Sequence, residues 1–373
     1  MTRKVISMSK DSSSQGQTLD AWYSAPGPEN DIILSTRVRL ARNLADFVFP
    51  KYLSRDDAER VQTLIFDSFT HIEDAENYQA LRAASLDALG QKILTERGIF
   101  PYSMYTQPCT GGVLRGDGKL SCSVNCDDHL RIASFASGFD CESAFGDSKK
   151  LDSELQNYLQ FAASNEFGYL TALMRDLGSG MKLSCVLHLP SMVMTGACEK
   201  FFRAAMLEGC AVTAFFGPND TSNPLGSFFL VQNRQAYQGT EEEQVSRFEV
   251  AVLRLIENER GLAMNLLDGR TTHVKDLIYR AIATVKYSRL VTNREGIDLV
   301  SKIKWGLNLG LLSGIKHHEL TALLYRVQNA HLTYVIRNGS FSFEQDIATE
   351  DEKIERLRAL VLQEALSNVR LEL

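Results

Sequence analysis

The sequence predicts an α+β fold, in which an antiparallel sheet flanked by helices precedes an all-α helical bundle. In the middle of the chain, short alternating or apolar segments lie between Gly-rich turns, the pattern of antiparallel strands joined by tight loops. After Pro224 the remaining 149 residues contain no proline and carry repeated amphipathic helical stripes. The 373 residues, 44% of them hydrophobic, suffice for roughly two domains of about 150 residues.

Charge and cysteine content argue against several classes of protein. A formal net charge of -6 opposes a general nucleic-acid binder, which carries a basic face. No apolar run approaches the roughly 18 residues of a membrane span, and the N-terminal MTRKVISMSKDSSSQGQ lacks the apolar stretch of a secretory signal. Seven cysteines, an odd number, fit a reducing compartment better than a disulfide scaffold. We therefore expect a cytoplasmic protein that binds neither nucleic acid nor membrane.

The first predicted elements are a tail, a strand and a helix. Residues 1–26 have few apolar anchors and predict a flexible tail. The turn sequence Ala25–Asn30 leads into IILSTRVRLARNL, and we expect its STRVR portion on a strand. An amphipathic helix follows, predicted from apolar side chains at helical spacing. These side chains are Val61, Leu64, Ile65 and Phe69.

The central region mixes strands with a helix. GGVLRGDGKLSCSVNCDDHLRIASF, at about residues 110–135, predicts antiparallel strands joined by tight turns. Further strands are predicted at 182–189, 210–216 and 226–233, with a helix over ACEKFFRAAMLEG. This order of elements is typical of an α+β domain, which we place at residues 27–262.

Amphipathic helices form the rest of the chain. Thr240 with Glu243 and Thr349 with Glu352 have the spacing of capping boxes, before the first and the last apolar stripe. Since such stripes must be buried together, we predict a helical bundle over residues 263–373 that also favours self-association. The stripes comprise Val245, Phe248, Val252 and Leu255; Val274, Leu277, Ile278, Ala281 and Ile282; Ile297, Val300 and Ile303; Leu320, Leu323, Leu324 and Val327; and Ile354, Leu357, Leu360 and Val361.

The segment Ser35–Arg39 is the first candidate for a binding site. Alternation along a strand places Arg37 and Arg39 on the same face. Two adjacent guanidinium groups repel each other unless an anion joins them, and their planar fork suits phosphate oxygens. Two solvated surface arginines are the alternative interpretation.

Two further segments carry polar chemistry. Asn125–Arg131 places acidic groups near an arginine, which suits an ion pair, a cation site or a general base, and equally an ordinary turn. Its C-x3-C-x2-H pattern lacks a second ligand pair, so we predict no metal site. Gly168–Thr171 followed by Asp176–Lys182 suits phosphate contact through backbone N–H groups, or a plain loop.

In this order the three segments resemble the ATP:guanidino phosphotransferase (phosphagen kinase) family, most closely its bacterial protein-arginine kinase branch. DIILSTRVRLARNL is similar to that branch's opening segment, and VNCDDHLRI resembles N-E-E-D-H-[LI]-R. EFGYLTALMRDLGSGMKLSCVLHLP resembles G-Y-L-T-x-C-P-[TS]-N-x-G-T-G-x-R-A-S. Only 34 residues precede Ser35, too few for the helical domain that small-metabolite guanidino kinases place there.

The resemblance implies a glutamine-synthetase-like phosphotransferase domain that uses ATP and Mg²⁺. It places the phosphate-clamping arginines of the family at Arg37, Arg39, Arg131, Lys182 and Thr213. Lys182 keeps a charge without the bidentate fork, and Thr213 has no charge. The implied nucleotide contacts are Ser35, Thr36, Arg37, Val38, Arg39, Arg131 and Lys182, with Arg97 at the position of the adenine-flanking histidine.

The acceptor side departs further from the family pattern. The resemblance places the paired glutamates at Cys126 and Asp127, and makes Asp127 the base that takes the proton of the substrate guanidinium. The family thiolate is replaced by Leu173 and a further glutamate by Pro218. Cys126 is a candidate for the missing thiolate, and Glu166 or Asp176 for the second carboxylate.

Three functions remain open from the sequence. The resemblance implies a kinase that moves the ATP γ-phosphate to arginine guanidinium groups of proteins, with a protein substrate or an adaptor protein as partner. The alternative is a catalytically impaired pseudokinase that binds nucleotide or a partner, suggested by Leu173, Thr213 and Pro218. A small-metabolite kinase is the third and is disfavoured. IERLRALVL (354–362) faintly resembles a phosphoarginine-sensing element, against the simpler interpretation of an amphipathic helix.

Overall fold

The structure, a computed structural model, describes residues 21–217, 221 and 224–372. Most of the predicted tail and the Pro218 position lie outside the described residues. Within 21–26, Trp22–Ser24 form a short 3-10 helix, and Trp22 is only 3% exposed because it packs on the sheet. Apolar anchoring of the chain therefore begins at Trp22.

One antiparallel sheet of eight strands organises the first two thirds of the chain. Its strand order is β2-β3-β4-β5-β1-β8-β10-β9, so β1 lies at the centre between β5 and β8. Two small two-stranded sheets, β6-β7 and β11-β12, lie outside it. The strands are β1 (Ile33–Arg42), β2 (Tyr78–Arg82), β3 (Gly111–Arg115), β4 (Leu120–Val124), β5 (Leu130–Ser137), β6 (Ala163–Ser164), β7 (Gly168–Tyr169), β8 (Met181–His188), β9 (Cys210–Ala214), β10 (Phe228–Asn233), β11 (Leu312–Ser313) and β12 (Arg370–Leu371).

Ten α-helices accompany the sheets in the described part of the chain. They are α1 (Arg55–Ser68), α2 (Ala88–Glu96), α3 (Cys141–Leu155), α4 (Pro190–Thr195), α5 (Cys198–Leu207), α6 (Glu241–Tyr287), α7 (Asn293–Asn308), α8 (His317–Arg326), α9 (Asn329–Asn338) and α10 (Glu350–Ala365). Both predicted capping boxes are present, at the start of α6 and of α10. None of the described helices is long and apolar enough to cross a bilayer.

The back face of the sheet carries the larger core. Alternation along β1 turns Val38 and Leu40 to this face, where both are fully buried. They pack in one cluster with apolar side chains of α1, α3, α5 and the first half of α6. A layer of helices thus shields this face completely, and the functional groups of β1 point to the other one.

A second core joins the C-terminal helices to the front face. Val186 of β8 and Phe228 of β10 belong to the same buried cluster as Ile278 of α6 and Val300 of α7. The helical region therefore covers one end of the front face. The other end of that face, at Arg39 and Lys182, lines open cavities instead.

The predicted α+β class, with an antiparallel sheet and a helical C-terminal region, is confirmed. Two details differ from the sequence pattern. Leu64, predicted on the apolar stripe of α1, is 46% exposed. The predicted boundary at 262/263 lies inside α6, which continues to Tyr287 with a non-helical residue at Arg270. The domain limits therefore stay predictions.

Candidate active site

The register of three strands gathers four cationic side chains on the front face. Arg37 and Arg39 alternate onto this face of β1. Arg39 lies opposite Lys182 of β8, and Ala41, two residues on, lies opposite Arg131 of β5. Because residues opposite each other share a face, Arg131 and Lys182 join the two arginines of β1.

The other three residues of STRVR, which are Ser35, Thr36 and Val38, are buried in the sheet. Thr36 and Val38 point to the back face, where the Thr36 hydroxyl donates to the Gly138 carbonyl at 2.7 Å. Ser35 is on the front face but buried, in register with Ser137 and Val186. The predicted contact of these three residues with nucleotide stays a prediction.

A cavity of about 260 Å³ lies over the arginines. Three of its buried nitrogens have no hydrogen-bond partner among the described residues: Arg37 Nε, Arg39 Nε and Arg131 Nη2. Buried donors are nearly always paired in native proteins, and charged ones most of all. These nitrogens therefore indicate a polyanionic ligand. The cavity is lined by Arg37, Arg39, Thr95, Gly98, Ile99, Phe100, Pro101, Ser121, Ser123, Arg131 and Ala133.

The concentration of positive charge perturbs the pKa values of the cluster. Burial, then the charge of Arg39, lowers the pKa of Arg37 well below its ordinary value. Burial and Arg131 lower the pKa of Arg39 to about 10. Burial and Arg39 lower the pKa of Lys182 to about 8. In each case burial and neighbouring positive charge disfavour the charged form, and an anion bound between these groups would favour it.

Arg131 differs because carboxylates surround it. Its Nε donates to Asp128 Oδ2 at 2.9 Å, and its Nη1 to Asp127 Oδ2 at 2.7 Å. Asp176 Oδ2 is 3.6 Å from Nη2. Burial lowers the pKa of Arg131, but these carboxylates, Asp128 first, outweigh it and raise that pKa. Arg131 is thus held in position before any ligand arrives.

Asp128 is the residue that fixes this part of the site. It is fully buried, and its Oδ1 accepts from Asn43 Nδ2 at 2.8 Å and from the Ala172 amide at 2.7 Å. Its other oxygen holds Arg131. One carboxylate therefore ties β1, β5 and the 170–173 segment together.

The two predicted catalytic residues lie in contrasting environments. The side chain of Asp127 is 44% exposed, and only its Oδ2 is hydrogen-bonded within the described residues. Cys126 is buried in an apolar cluster with Phe100 and Met104. Burial raises the pKa of Cys126 to about 11, so its neutral thiol dominates at pH 7. This environment disfavours the thiolate role, while the role of Asp127 stays a prediction.

The Cys122, Cys126 and His129 side chains serve structure. His129 Nδ1 accepts from the Leu44 amide at 3.0 Å, and Nε2 lies 2.9 Å from the Val48 carbonyl. Cys122 belongs to the large core and Cys126 to a separate cluster. In the described residues no three His, Cys, Asp or Glu side chains converge as a metal site.

Arg97 lies beside the cavity without lining it. It is the residue that ends α2, between the lining residues Thr95 and Gly98. Burial, and then the charge of Arg97, lowers the pKa of His331 to about 4, which places Arg97 near α9. Its predicted contact with a base stays a prediction.

The Gly-Ser-Gly loop owes its glycines to close packing. A Cβ on Gly180, whose φ is +69°, would lie 2.6 Å from the Ala41 carbonyl. A Cβ on Gly178, at φ +105°, would lie 2.8 Å from the Ala236 carbonyl. The loop therefore packs closely against the end of β1, just before β8 begins. The register of β8 with β1 then places Lys182 in the site.

The replaced positions lie around the cluster. Thr213 of β9 is in register with Leu230 of β10, so it shares the front face but stands three strands from β1. Leu173 is partly exposed and precedes the short 3-10 helix Met174–Asp176. Glu166 is exposed, whereas Asp176 lines a small cavity of about 50 Å³ with Arg39, Arg131 and Lys182.

Sequence reasoning missed two supports of the site. The Arg42 guanidinium is fully buried, bonded to both oxygens of Asp152 at 2.9 Å and 3.5 Å from the Tyr169 ring centroid. Phe135 stacks on Trp22 at 5.2 Å, with the Arg37 guanidinium 4.7 Å from its ring centroid. Both contacts join residues distant along the chain, so no local pattern signalled them.

Two family models match the chain. The description "ATP:guanido phosphotransferase, C-terminal catalytic domain" applies to residues 60–262. "Protein-arginine kinase McsB C-terminal domain" applies to residues 271–372. The resemblance proposed from the motifs is thereby confirmed.

Curated relatives and solved structures with similarity to this chain agree with the two family models. A protein-arginine kinase of Desulforamulus reducens is 31% identical over 343 residues, 91% of this chain and 96% of its own. A protein-arginine kinase of Syntrophomonas wolfei is 29% identical over 355 residues, which cover 94% of this chain and 96% of that relative. The crystal structure of lombricine kinase is similar in fold, with a TM-score of 0.55, 15% identity and coverage of 66% and 73%. A duplicated taurocyamine kinase from Schistosoma mansoni is also similar in fold, with a TM-score of 0.58 and 16% sequence identity. The match covers 74% of this chain and 41% of that chain.

The order of elements, the arginine cluster on the central strands and both family matches lead to one assignment. The similarity to curated relatives extends over the sheet and the helical region alike. This chain belongs to the ATP:guanido phosphotransferase family.

Proposed function

We propose that this protein transfers the γ-phosphate of ATP to arginine side chains of other proteins. The observation that carries the proposal is a set of three buried guanidinium nitrogens at one cavity that have no hydrogen-bond partner in the described part of the chain. Relatives named protein-arginine kinase match over more than 90% of the chain, which supports a protein acceptor. The helical region after the sheet supports the same choice.

The arginine cluster serves the nucleotide. Arg37, Arg39 and Arg131 offer planar donors to phosphate oxygens, and Lys182 adds a point charge at the rim. Phosphoryl transfer depends mainly on positioning and on neutralising the charge of the transferred group. Rigid strands hold these side chains, so little reorganisation is needed when the phosphates arrive.

Magnesium fits this site as a companion of the nucleotide. The cavity presents cationic donors, and no protein cage of three acidic or histidine ligands occurs among the described residues. Mg²⁺ commonly keeps its waters and binds through substrate phosphates, where it neutralises their charge. We therefore assign ATP and Mg²⁺ as cofactors, with the ion held by phosphate and water.

Asp127 takes the proton on the acceptor side. A substrate guanidinium is protonated at neutral pH and becomes nucleophilic only when it loses a proton. Asp127 is exposed at the edge of the cluster and anchored by Arg131 through one oxygen, which leaves Oδ1 for the acceptor. Its side chain is one methylene shorter than glutamate, so we expect a slower enzyme than one with the complete family set.

The inactive alternative has no specific support. It derives from the residues at 173, 213 and 218, and the first two lie outside the core of the cation cluster. Position 218 is outside the described residues. The unpartnered nitrogens of the cluster favour retained nucleotide binding in either case.

The partners and the location follow the same proposal. We infer that the helical region mediates self-association or binds an adaptor protein, because Met264, Tyr287 and Tyr334 are exposed there. A light-scattering mass of one 41.7 kDa chain at high concentration would contradict self-association. A cytoplasmic location fits seven cysteines that are all unpaired.

A phosphorylation assay tests the main proposal. The protein is incubated with γ-labelled ATP, Mg²⁺ and an arginine-rich protein, and acid-labile label is counted. Asp127→Asn should abolish the label, whereas Asp117→Asn, at the β3–β4 turn away from the cluster, should retain it. Absence of label with folded protein that binds MgATP would establish the inactive alternative. Efficient labelling of free arginine would establish a small-metabolite kinase.

A further inference from the structure

Asp176 is a buried carboxylate inside a cation cluster. It is 7% exposed and lines a small cavity with Arg39, Arg131, Arg175 and Lys182. Its carboxylate is 3.6 Å from Arg131 Nη2 and 3.9 Å from Arg175 Nε. It makes no side-chain hydrogen bond within the described residues, although Arg131 Nη2 has no partner either.

The geometry of Asp176 differs from that of a positioning carboxylate. Asp128 orients Arg131 through a 2.9 Å hydrogen bond and is itself held by two further donors. At 3.6 Å the Asp176 oxygen is beyond hydrogen-bond distance, so it contributes charge without direction. Its backbone lies in the 3-10 helix Met174–Asp176, where the amide donates to the Leu173 carbonyl at 2.9 Å. The turn therefore fixes a negative charge beside the cations.

The charge of Asp176 acts on the groups assigned to phosphate. It raises the pKa of Lys182 and of Arg39 against the larger lowering effect of burial. It thus stabilises the empty cluster. The same charge repels a nucleotide phosphate that approaches these side chains.

We propose that Asp176 is a built-in counter-anion of the phosphate site, which weakens MgATP binding by competing for Arg131 and Lys182. The proposal rests on the nucleotide site of the proposed function and adds a device that sets its affinity. MgATP binds when its phosphates replace the carboxylate as the partner of the cluster. A low intrinsic affinity would make the enzyme responsive to ATP concentration.

Asp176→Asn is the direct test, because it removes the charge and keeps the shape. Glu199→Gln is the matched control, since it removes the same charge from an exposed site on α5. MgATP and MgADP dissociation constants are measured by titration calorimetry on the full chain. We expect Asp176→Asn to bind both nucleotides roughly 3- to 30-fold more tightly, and less so at high salt. The control should stay within about twofold of the parent chain.

Other outcomes separate the explanations. Unchanged or weaker nucleotide binding in Asp176→Asn, with an intact melting transition, would overturn the counter-anion role. An unchanged dissociation constant with a lower kcat would also overturn it and assign Asp176 to the acceptor. If the parent chain binds MgATP but transfers no phosphate, the proposed function fails. A tighter complex in Asp176→Asn would then still support the counter-anion.

Discussion

The buried arginines of the sheet and the buried arginine of the helical region differ in how their guanidinium nitrogens are hydrogen-bonded. Arg358 of α10 is 1% exposed and donates to the Val327 and Val291 carbonyls at 2.7 Å and to Asn329 Oδ1. Arg37 and Arg39 have buried Nε atoms without a hydrogen-bond partner among residues 21–217, 221 and 224–372. A buried cation in which every nitrogen donates a hydrogen bond stabilises a fold, whereas one with an unbonded buried nitrogen is prepared for a ligand.

The same comparison bears on the C-terminal resemblance. Arg358 is the arginine of IERLRALVL that matches the phosphoarginine-sensing element. Its guanidinium faces backbone carbonyls in the interior and is closed to solvent. The structure supports the simpler interpretation, an amphipathic helix, with Arg358 joining α10 to the turn between α8 and α9.

Of the changes that compare the two regions, removing a cluster arginine should have the largest effect, a loss of activity without a loss of stability. We expect Arg39→Gln to lower phosphoryl transfer at least roughly a hundredfold, because a donor to the transferred phosphate is lost. The unfolding free energy should stay equal or rise, since repulsion from Arg131 is relieved. Transfer rates and denaturant unfolding check this together. A fall in stability of about 3 kcal/mol would erase the contrast with Arg358.

Removing Arg358 should instead reduce stability. Arg358→Met leaves the buried Val291 and Val327 carbonyls without a donor, at about 1–3 kcal/mol each, so we expect a loss of about 3 kcal/mol. Arg337→Met on the exposed face of α9 is the control and should change stability by less than about 0.5 kcal/mol. Equal stability of Arg358→Met and the control would show that the interior bonds contribute nothing.

The pH dependence of binding sharpens the description of the cluster. The pKa of Lys182 is about 8 in the free protein, and bound phosphate must raise it. MgATP affinity should therefore fall as pH rises above about 8, by up to about tenfold per pH unit. In Lys182→Arg the affinity should be flat from pH 7 to 9. A parallel decline in both proteins would assign the titration to another group.

The smallest expected effect concerns the contact between α2, which belongs to the sheet region, and α9, which belongs to the helical region. Both Glu96 oxygens at the end of α2 accept from the Ala330 amide at 3.0 Å. They cap α9, whose own N-cap residue Gln328 makes no side-chain capping bond to the described residues of that helix. Glu96→Gln should cost about 1 kcal/mol and speed hydrogen exchange at Ala330. Exposed Glu76→Gln should change neither quantity. Unchanged exchange at Ala330 would indicate that α9 needs no support from α2.

Local patterns in the sequence predicted most of the secondary structure. Alternation placed Arg37 and Arg39 on one face, and capping boxes at Thr240 and Thr349 marked two helix starts. Such features depend on neighbours a few residues apart. The family resemblance, and not local pattern, named Thr36 and Val38 as nucleotide contacts; the pleat turns both to the back face, and their role stays a prediction.

Tertiary structure decided the environment and the bonding partners of the site residues. Cys126 is enclosed by Phe100 and Met104, and Asp128 bonds to Asn43, through contacts between segments that are far apart along the chain. Composition and short-range periodicity by themselves predicted the fold class, much of the helix and strand pattern and the pair Arg37 and Arg39, while the family resemblance added Arg131 and Lys182. Strand register and burial alone determined which cations converge and which are satisfied, because both depend on segments far apart along the chain.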